Sequence, residues 1–537
     1  MTQSLRVHLL AAGAAIVLGV AGDGLLRVHP LGLNLTLWTV SILIAAFVLS
    51  RLHKTVPVGA YGLLGAAILL SLTFAWRDSV TLKWLSLFAA FTSFALAAKW
   101  GKAFQIRLAG VVTYALAMLE GAVLMVRGAP VLAVRGVMGR DSEWRQLAGE
   151  DARAWVFAPM RGLLIAVPLV FVFGGLFASA DAAYRTVLSD LFDLRELVRH
   201  AAITLLCAWI AASMLEGILE GNTVRLRLPA ATDRVRLGAI EAGVVLTLLD
   251  LLFLSFAIVQ FRYLFGGEER IRRIADLTYS QYARQGFFEL CAVVALVLGV
   301  LLLGDWLVRD ATAKGKRIFT VLAVLQLLMV EVIMASAFLR MWMYQDAYGL
   351  TELRLYATAF MCWLGVLLVW FLLTVILRGE RRRFAFGAYL TGLAAVLALH
   401  AIDPDALIVR TNAARLDRGK PFDAEYALRL SADAVPALVS FLPRLDEAGR
   451  SQIAGTLRTR WLDADPLDWR AWSWGRACAS RSIREHATLI GSVAPPVRDA
   501  PDPARRDVVK AEPSPVELMV SVGEGRDTEE GDPLVPR

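Results

Sequence analysis

"IFTVLAVLQLLMVEVIMASAFLRMWMYQDAYGLTELRLYATAFMCWLGVLLVWFLLTVIL", residues 318–377, is two apolar runs joined by a short polar stretch. A hydrocarbon core about 30 Å thick is crossed by a helix of roughly 17 to 25 mostly apolar residues, and each run supplies that length. Neither run alternates polar and apolar residues with a period of two, which argues against the strands of an outer-membrane barrel. A backbone in lipid must satisfy its own hydrogen bonds, so runs of this kind are helices. The connection, "RMWMYQDAYGLTELR" at 340–354, nevertheless holds two arginines, two acids and two tyrosines.

Such runs recur. About twelve spans are expected, near 7–26, 34–50, 57–76, 80–98, 104–126, 159–179, 199–219, 238–264, 287–305, 317–340, 355–377 and 383–401. The whole chain is 57% hydrophobic and only 19% charged, with a mean hydropathy of +0.57. A soluble domain usually carries about a quarter charged residues. The fold class expected is therefore all-α: a polytopic transmembrane helix bundle followed by a small C-terminal helical soluble domain. Its divisions are N-terminal transmembrane helices at 1–126, a basic loop at 127–158, the main transmembrane domain at 159–401, a soluble helical domain at 402–488 and a disordered tail at 489–537. Residues 1–6 resemble the start of a signal peptide, but "GVAGDGLLRVHP" offers no small-residue cleavage site, so the first helix is expected to be retained.

The tail from 402 holds 19 Lys and Arg against 22 Asp and Glu, which leaves +11 of the net +8 on the membrane part. That excess sits in short loops at 127–158, 221–237, 306–317 and 378–383, as in "VRLRLPAATDRVR", "DATAKGKR" and "RGERRR". Cytoplasmic loops are the basic ones, so these should be cytoplasmic, with 180–198, 265–286, 341–354 and the tail outside a bacterial inner membrane. Arg51, Lys54, Lys99, Lys102 and Arg107 fall on loops that this register would export. Either the helix count there differs by one or the bias is weak.

In the tail, "DAEYALRLSADAVPALVSFLPRL" spaces its apolar residues by three and four, and Ser431 suits the cap of a helix starting near Ala432. Trp461, Trp469, Trp472 and Trp474 add an aromatic cluster. From about 490 the chain is Pro-rich and acidic without apolar period, and its closing "LVPR" matches a thrombin recognition sequence and is set aside from function. Basic patches interleaved with aromatics are missing from the soluble part, so no nucleic-acid partner is expected. Four cysteines without metal-type spacing and six histidines suggest no metal and no cofactor, and no HExxH, GxSxG, GxxxxGK[ST] or GxGxxG motif marks a catalytic residue. His400 is expected to be an interfacial residue rather than a proton relay.

Ionisable residues inside spans are costly and are candidates by default: Glu120, Glu216, Glu241, Asp250 and Glu331. Each serves either as a structural ion-pair partner or, unpaired, as a proton carrier. Two polar connections could meet a substrate or lipid headgroups. In the first, 261–290, Tyr282 and Arg284 lie on a basic, interfacial stretch. In the second, Gly349 can end one helix, Thr351 can cap the next, and Arg340, Tyr344, Tyr348 and Arg354 are brought close at a tight hairpin. Two guanidiniums there would match one carboxylate or phosphate, or else snorkel to the interface.

"VQFRYLFGG", "LTYSQYARQGFFEL", "RMWMYQDAYGLTELRLYATAFMCW" and "LSADAVPALV" resemble segments of an uncharacterised bacterial family of multi-pass membrane proteins known only as a domain of unknown function, over approximately 160–440. The resemblance implies an inner-membrane protein and carries no substrate, cofactor or catalytic residue. Three functions remain open: a transporter or lipid-handling protein using intramembrane carboxylates, a scaffold or signalling accessory binding a protein partner through 402–488, and an intramembrane enzyme on a lipid-linked substrate. The bilayer itself is the one partner common to all.

Overall fold

The computed structural model describes residues 3–100, 107, 109–138, 173, 176–177, 179–181, 194–220, 239–264, 287–307, 312–464 and 466–491. The expected span at 159–179, most of the 261–290 connection with Tyr282 and Arg284, and the stretch beyond 491 lie outside these residues. Seventeen α-helices are described and no strand among them. The first eleven are α1 (Gln3–Leu26), α2 (Leu33–His53), α3 (Tyr61–Leu72), α4 (Val80–Lys99), α5 (Val111–Met138), α6 (Leu194–Glu220), α7 (Ala239–Leu264), α8 (Phe287–Leu307), α9 (Ala313–Tyr348), α10 (Glu352–Phe371) and α11 (Arg381–Ile402). Ten of the described helices are long and apolar enough to cross a membrane. The polytopic helix bundle expected from the sequence is what the chain forms.

The spans pack in two groups. Ala11, Ile42, Leu64, Phe94, Leu215 and Ile218 form the core of α1–α6, and Leu301, Leu327, Val330, Leu368 and Phe371 that of α7–α10. Helix α11 touches both: Phe386, Tyr389 and Val396 lie on the first core, and Phe384 belongs to the second. At 36 residues α9 is much longer than a span requires, about 54 Å at 1.5 Å per residue. Its last turns, which include "RMWMYQDAY", pack against the tail.

The tail folds as α12 (Pro404–Ala414), α13 (Ala424–Arg429), α14 (Val435–Phe441), α15 (Glu447–Leu457), α16 (Trp474–Glu485) and α17 (Ala487–Gly491). Helices this short are marginal on their own in water, so capping and packing must hold them. Asp403, Asp423, Asp446 and Ser473 accept hydrogen bonds from the first turns of α12, α13, α15 and α16. Ser431 caps the short turn Ala432–Ala434 that leads into α14. Ile408, Val409, Leu438, Val439, Ile453, Leu457 and Ile483 form the core, and Leu350 and Leu355 of the α9–α10 hairpin are part of it. The tail is thus folded around the hairpin.

Contacts with the tail sort the helix ends. The α1–α2 turn, the α3–α4 loop, the α9–α10 turn and the end of α11 all meet it. Arg51, Lys54, Lys99, Arg107, Lys314, Lys316, Arg317 and Arg381–Arg383 consequently share the opposite end. The N-terminal basic residues that the register from sequence placed on the tail side lie with "RGERRR" instead. The register from sequence and the described helices part between α5 and α6; most of residues 139–193 lie outside the described set.

Candidate functional site

The hairpin is built by backbone geometry before any side chain acts. Gly349 ends α9 at φ +83°, ψ 169°, a region suited to glycine, and its N–H donates to Gln345 O at 2.8 Å. The φ is positive as the sequence suggests, but ψ is extended rather than left-handed helical. Thr351 occupies the N-cap of α10 without a side-chain cap bond. The Glu352 N–H instead donates to the Tyr426 hydroxyl at 2.7 Å, so a residue of α13 does what a local cap would do.

The side chains expected to converge there do so in part. The Arg354 guanidinium lies 4.1 Å from the Tyr344 ring centroid, and the Tyr344 and Tyr348 rings are 5.2 Å apart. Arg354 Nη1 also donates to Gly349 O at 2.5 Å and Tyr348 O at 3.3 Å. It thereby satisfies carbonyls at the helix end. Arg340 lies half-buried, two turns back on α9.

Asn412 and Arg415 of the tail complete the turn. Asn412 accepts from Leu350 N–H at 2.7 Å and donates to Leu350 O at 2.8 Å. Arg415 donates to Asp346 O and Ala347 O, the last open carbonyls of α9, and Arg418 pairs with the Asp346 carboxylate at 2.8 Å. The polar stretch that interrupts two apolar runs is therefore an attachment point for the chain's own tail.

A second attachment joins the tail to the α3–α4 loop, "WRDS" at 76–79. Arg77 pairs with Asp403 and donates to His400 O at 2.9 Å; Arg476 pairs with Asp78, which also takes Lys83 at 2.9 Å. Asp433 accepts the backbone N–H groups of Asp78 at 2.6 Å and Ser79 at 3.2 Å. Ser431 Oγ donates to Asp405 at 2.5 Å. Burial pushes the Asp78 carboxyl up, but the charges of Lys83 and Arg476 outweigh it and hold it below the usual carboxylate range. Asp405 and Asp433 go the other way, to about 7 and about 6, because burial dominates and neighbouring acids add to it. One oxygen of each, Oδ1, is buried without a hydrogen-bond partner.

Between these attachments opens a cleft of about 1490 Å³. The first turns of α4 and the α1–α2 turn form one wall, and the tail from Arg429 to Arg484 forms the other. Trp469 and Trp472 stand on its rim, exposed.

The intramembrane acids divide by partner. Glu120 meets Lys99 at 2.8 Å, and Glu216 pairs with Arg135. Asp250 on α7 is buried with neither carboxylate oxygen hydrogen-bonded, and Glu331 Oε1 on α9 is likewise buried and unpartnered. Gln326, 1% exposed and five residues before Glu331 on the same helix, has no partner for either amide atom. Glu241 is exposed near the start of α7. His400 is buried rather than interfacial: Nδ1 meets Val396 O at 2.9 Å and Nε2 meets Ser86 Oγ at 3.3 Å. Among the described residues no group of His, Cys, Asp and Glu is arranged to hold a metal ion.

Sequence reasoning did not single out Arg77, Asp78, Asn412, Arg415, Tyr426 or Arg476. The available signal was the Arg-Asp pair in a loop of a few residues between spans, where neither charge is needed for solubility.

Comparison with curated proteins and with solved structures found no match. A family model described as Domain of unknown function (DUF4153) matches residues 64–441, from within α3 to the last residue of α14. That is well over half of the 537 residues and takes in the hairpin attachment and all of the loop attachment except Arg476; this chain of many membrane-length apolar helices therefore belongs to the DUF4153 family.

Proposed function

We propose that this multi-pass membrane protein is a proton-coupled transporter in which Asp250 and Glu331 carry the proton. The supporting observation is the contrast between acids: Glu120 and Glu216 each have a basic partner, although Glu216 Oε2 is itself buried without a hydrogen bond, whereas Asp250 and Glu331 hold buried, unpartnered carboxylate oxygens and have no ion-pair partner among the described residues. Asp250 is the eleventh residue of the 20-residue span Ile240–Val259, and Glu331 the nineteenth of the 36 residues Ala313–Tyr348. Both therefore stand near the middle of their helices, and α7 packs on α9. An ionised carboxylate at that depth is expensive and takes up a proton unless water or a partner reaches it. Alternate access to water and to the dry state is what proton coupling needs.

The membrane orientation goes with this reading. The end bearing Arg51, Lys54, Lys99, Arg107, Lys314, Lys316, Arg317 and Arg381–Arg383 faces the cytoplasm of a bacterial inner membrane, and the tail faces outward. The test is an infrared titration of the purified chain combined with proton flux in proteoliposomes. A protonated carboxyl band should vanish in Asp250→Asn and in Glu331→Gln, and proton uptake under an imposed pH gradient should fall in both. Bands and flux unchanged in both variants would refute the assignment.

A further inference from the structure

The cleft under the tail has the chemistry of a two-part ligand. Its membrane-side wall is Val80, Trp84 and Leu87 of α4. Val80 and Trp84 are 65% and 66% exposed, and Phe88, one turn further along the span, is 65% exposed. The apolar wall thus runs without interruption from the cleft onto the lipid face of α4. Its other wall is cationic. Arg481 and Arg484 stand three apart on one face of α16 and line the cleft with Arg460. Arg481 and Arg484 are exposed, and neither has an ion-pair partner among the described residues.

Two buried polar atoms remain open among the residues lining the cleft. The Trp461 Nε1–H has no acceptor, and Asp405 Oδ1, on a residue 1% exposed, has no donor. Unsatisfied buried groups of this kind are rare in folded proteins and ask for a partner. An anionic oxygen would suit the arginines, an ester or phosphate oxygen the indole, and a hydroxyl the carboxyl. An acyl chain would suit Trp84 and Phe88. A free phosphate would leave both the apolar wall and Asp405 unused.

We propose that this cleft binds an anionic lipid whose headgroup carries free hydroxyl groups, with its chains along α4 and its phosphate against Arg481 and Arg484. The site stands on its own observations and does not depend on proton coupling.

The test uses the purified full chain, delipidated and titrated by native mass spectrometry with four probes. These are short-chain phosphatidylglycerol, phosphatidylcholine of the same chain length, glycerol 3-phosphate and inorganic phosphate. Phosphatidylglycerol should bind, the choline lipid much less, and the two chainless anions weakly. Arg481→Gln with Arg484→Gln should weaken phosphatidylglycerol binding at least about tenfold, because charge-assisted hydrogen bonds are lost. Trp84→Ala should weaken the lipid and leave glycerol 3-phosphate unchanged. Arg382→Gln, at the opposite end of the bundle, should change nothing. Exposed residues without partners can be replaced without unfolding the chain, which an unchanged melting curve verifies. Equal binding of phosphatidylglycerol by the double variant would overturn the site. Equal binding of phosphatidylcholine would overturn its charge selectivity, and glycerol 3-phosphate binding as tightly as the lipid would reduce it to a plain anion site.

Discussion

Gly349→Ala tests whether the polar hairpin exists to hold the tail. A Cβ at this position would sit 2.6 Å from Arg415 Nη1 and 2.8 Å from Asn412 Oδ1, closer than real contacts allow. It would also place an L-residue at φ +83° with extended ψ. Backbone strain of this kind costs about 1 to 3 kcal/mol. Displacing Asn412 breaks its two hydrogen bonds to Leu350, worth roughly 1 kcal/mol each. The sum, about 3 to 5 kcal/mol, acts on the attachment rather than on the spans. At 1.4 kcal/mol per factor of ten, tail opening should rise by a factor of about 10² to about 4,000. Hydrogen exchange of the solubilised protein measures it, read at the amides of α12 and α13 with those of α4 as internal control. Gly419→Ala separates the two terms, since Gly419 has φ +69° and nothing within 4 Å of its Cβ position. It should show the strain alone, about 1 to 2 kcal/mol. Equal protection in Gly349→Ala and wild type, or equal effects of the two substitutions, would refute the reasoning.

Asp433 makes the second attachment pH-dependent, because it accepts the backbone N–H groups of Asp78 and Ser79. Its native value of about 6 lies above 3.8, so the docked state holds more protons than the undocked state between those limits. Docking must therefore weaken as pH rises from about 4 to about 6, by at most about 3 kcal/mol at 1.36 kcal/mol per unit. Protease accessibility of the 415–430 segment measured at pH 5 and pH 8 should show it, and Asp433→Asn should flatten the profile; a steeper profile in the variant would contradict this. Arg476→Ala removes one of the two cationic partners of Asp78, leaving Lys83, and the donor to Leu31 O and Ala471 O. Losing one member of a buried pair costs about 3 to 5 kcal/mol, so the melting temperature of the tail should fall well below that of Arg444→Ala, whose pair with Asp417 is exposed. Calorimetry of the two variants decides it.

The bundle was legible because lipid imposes a simple rule, and twenty apolar residues in a row have one solution. The hairpin was legible for a related reason: Gly349 and Thr351 announce a helix end and a helix start by local geometry alone. The partners of that hairpin were not. Asn412, Arg415 and Tyr426 lie 62 to 74 residues from their hairpin partners, and nothing in an asparagine's neighbours says that its amide will bond a distant Leu350. Nor did the sequence hint that Arg354 of α10 would bond its own turn and stack on Tyr344 rather than face a ligand. His400 misled because an imidazole at the end of an apolar run is usually wet. Here Trp76 of the α3–α4 loop lies against its ring, and Ser86 and Val396 take its nitrogens. Local signals identify elements, and contacts between elements decide which polar residues remain available.

The tail holds both helix groups at once, and this constrains how the bundle can move. Its hold on α1–α4 is ionic and buried, through Arg77, Asp78, Lys83 and Arg476 with Asp403 and Asp433. Its hold on α9–α10 is mostly hydrogen bonds to backbone, through Asn412, Arg415 and Tyr426, with Leu350 and Leu355 inside its core. A transporter that exposes Asp250 and Glu331 by turns must shift α7 and α9 relative to neighbouring helices. Such a shift either carries the tail along or breaks one of its two attachments. The hairpin attachment is short of charge pairs but shares an apolar core, which moves as a unit. The loop attachment contains Asp433, which burial raises to about 6, and beside it Asp405 lines the lipid-sized cleft. The weaker seam is therefore the one on the α3–α4 loop, where protonation of Asp433 acts next to the proposed lipid site. Cross-linking cysteines placed at Asp78 and Arg476 should accordingly block proton uptake, while a link between Leu350 and Asn412 should leave it intact.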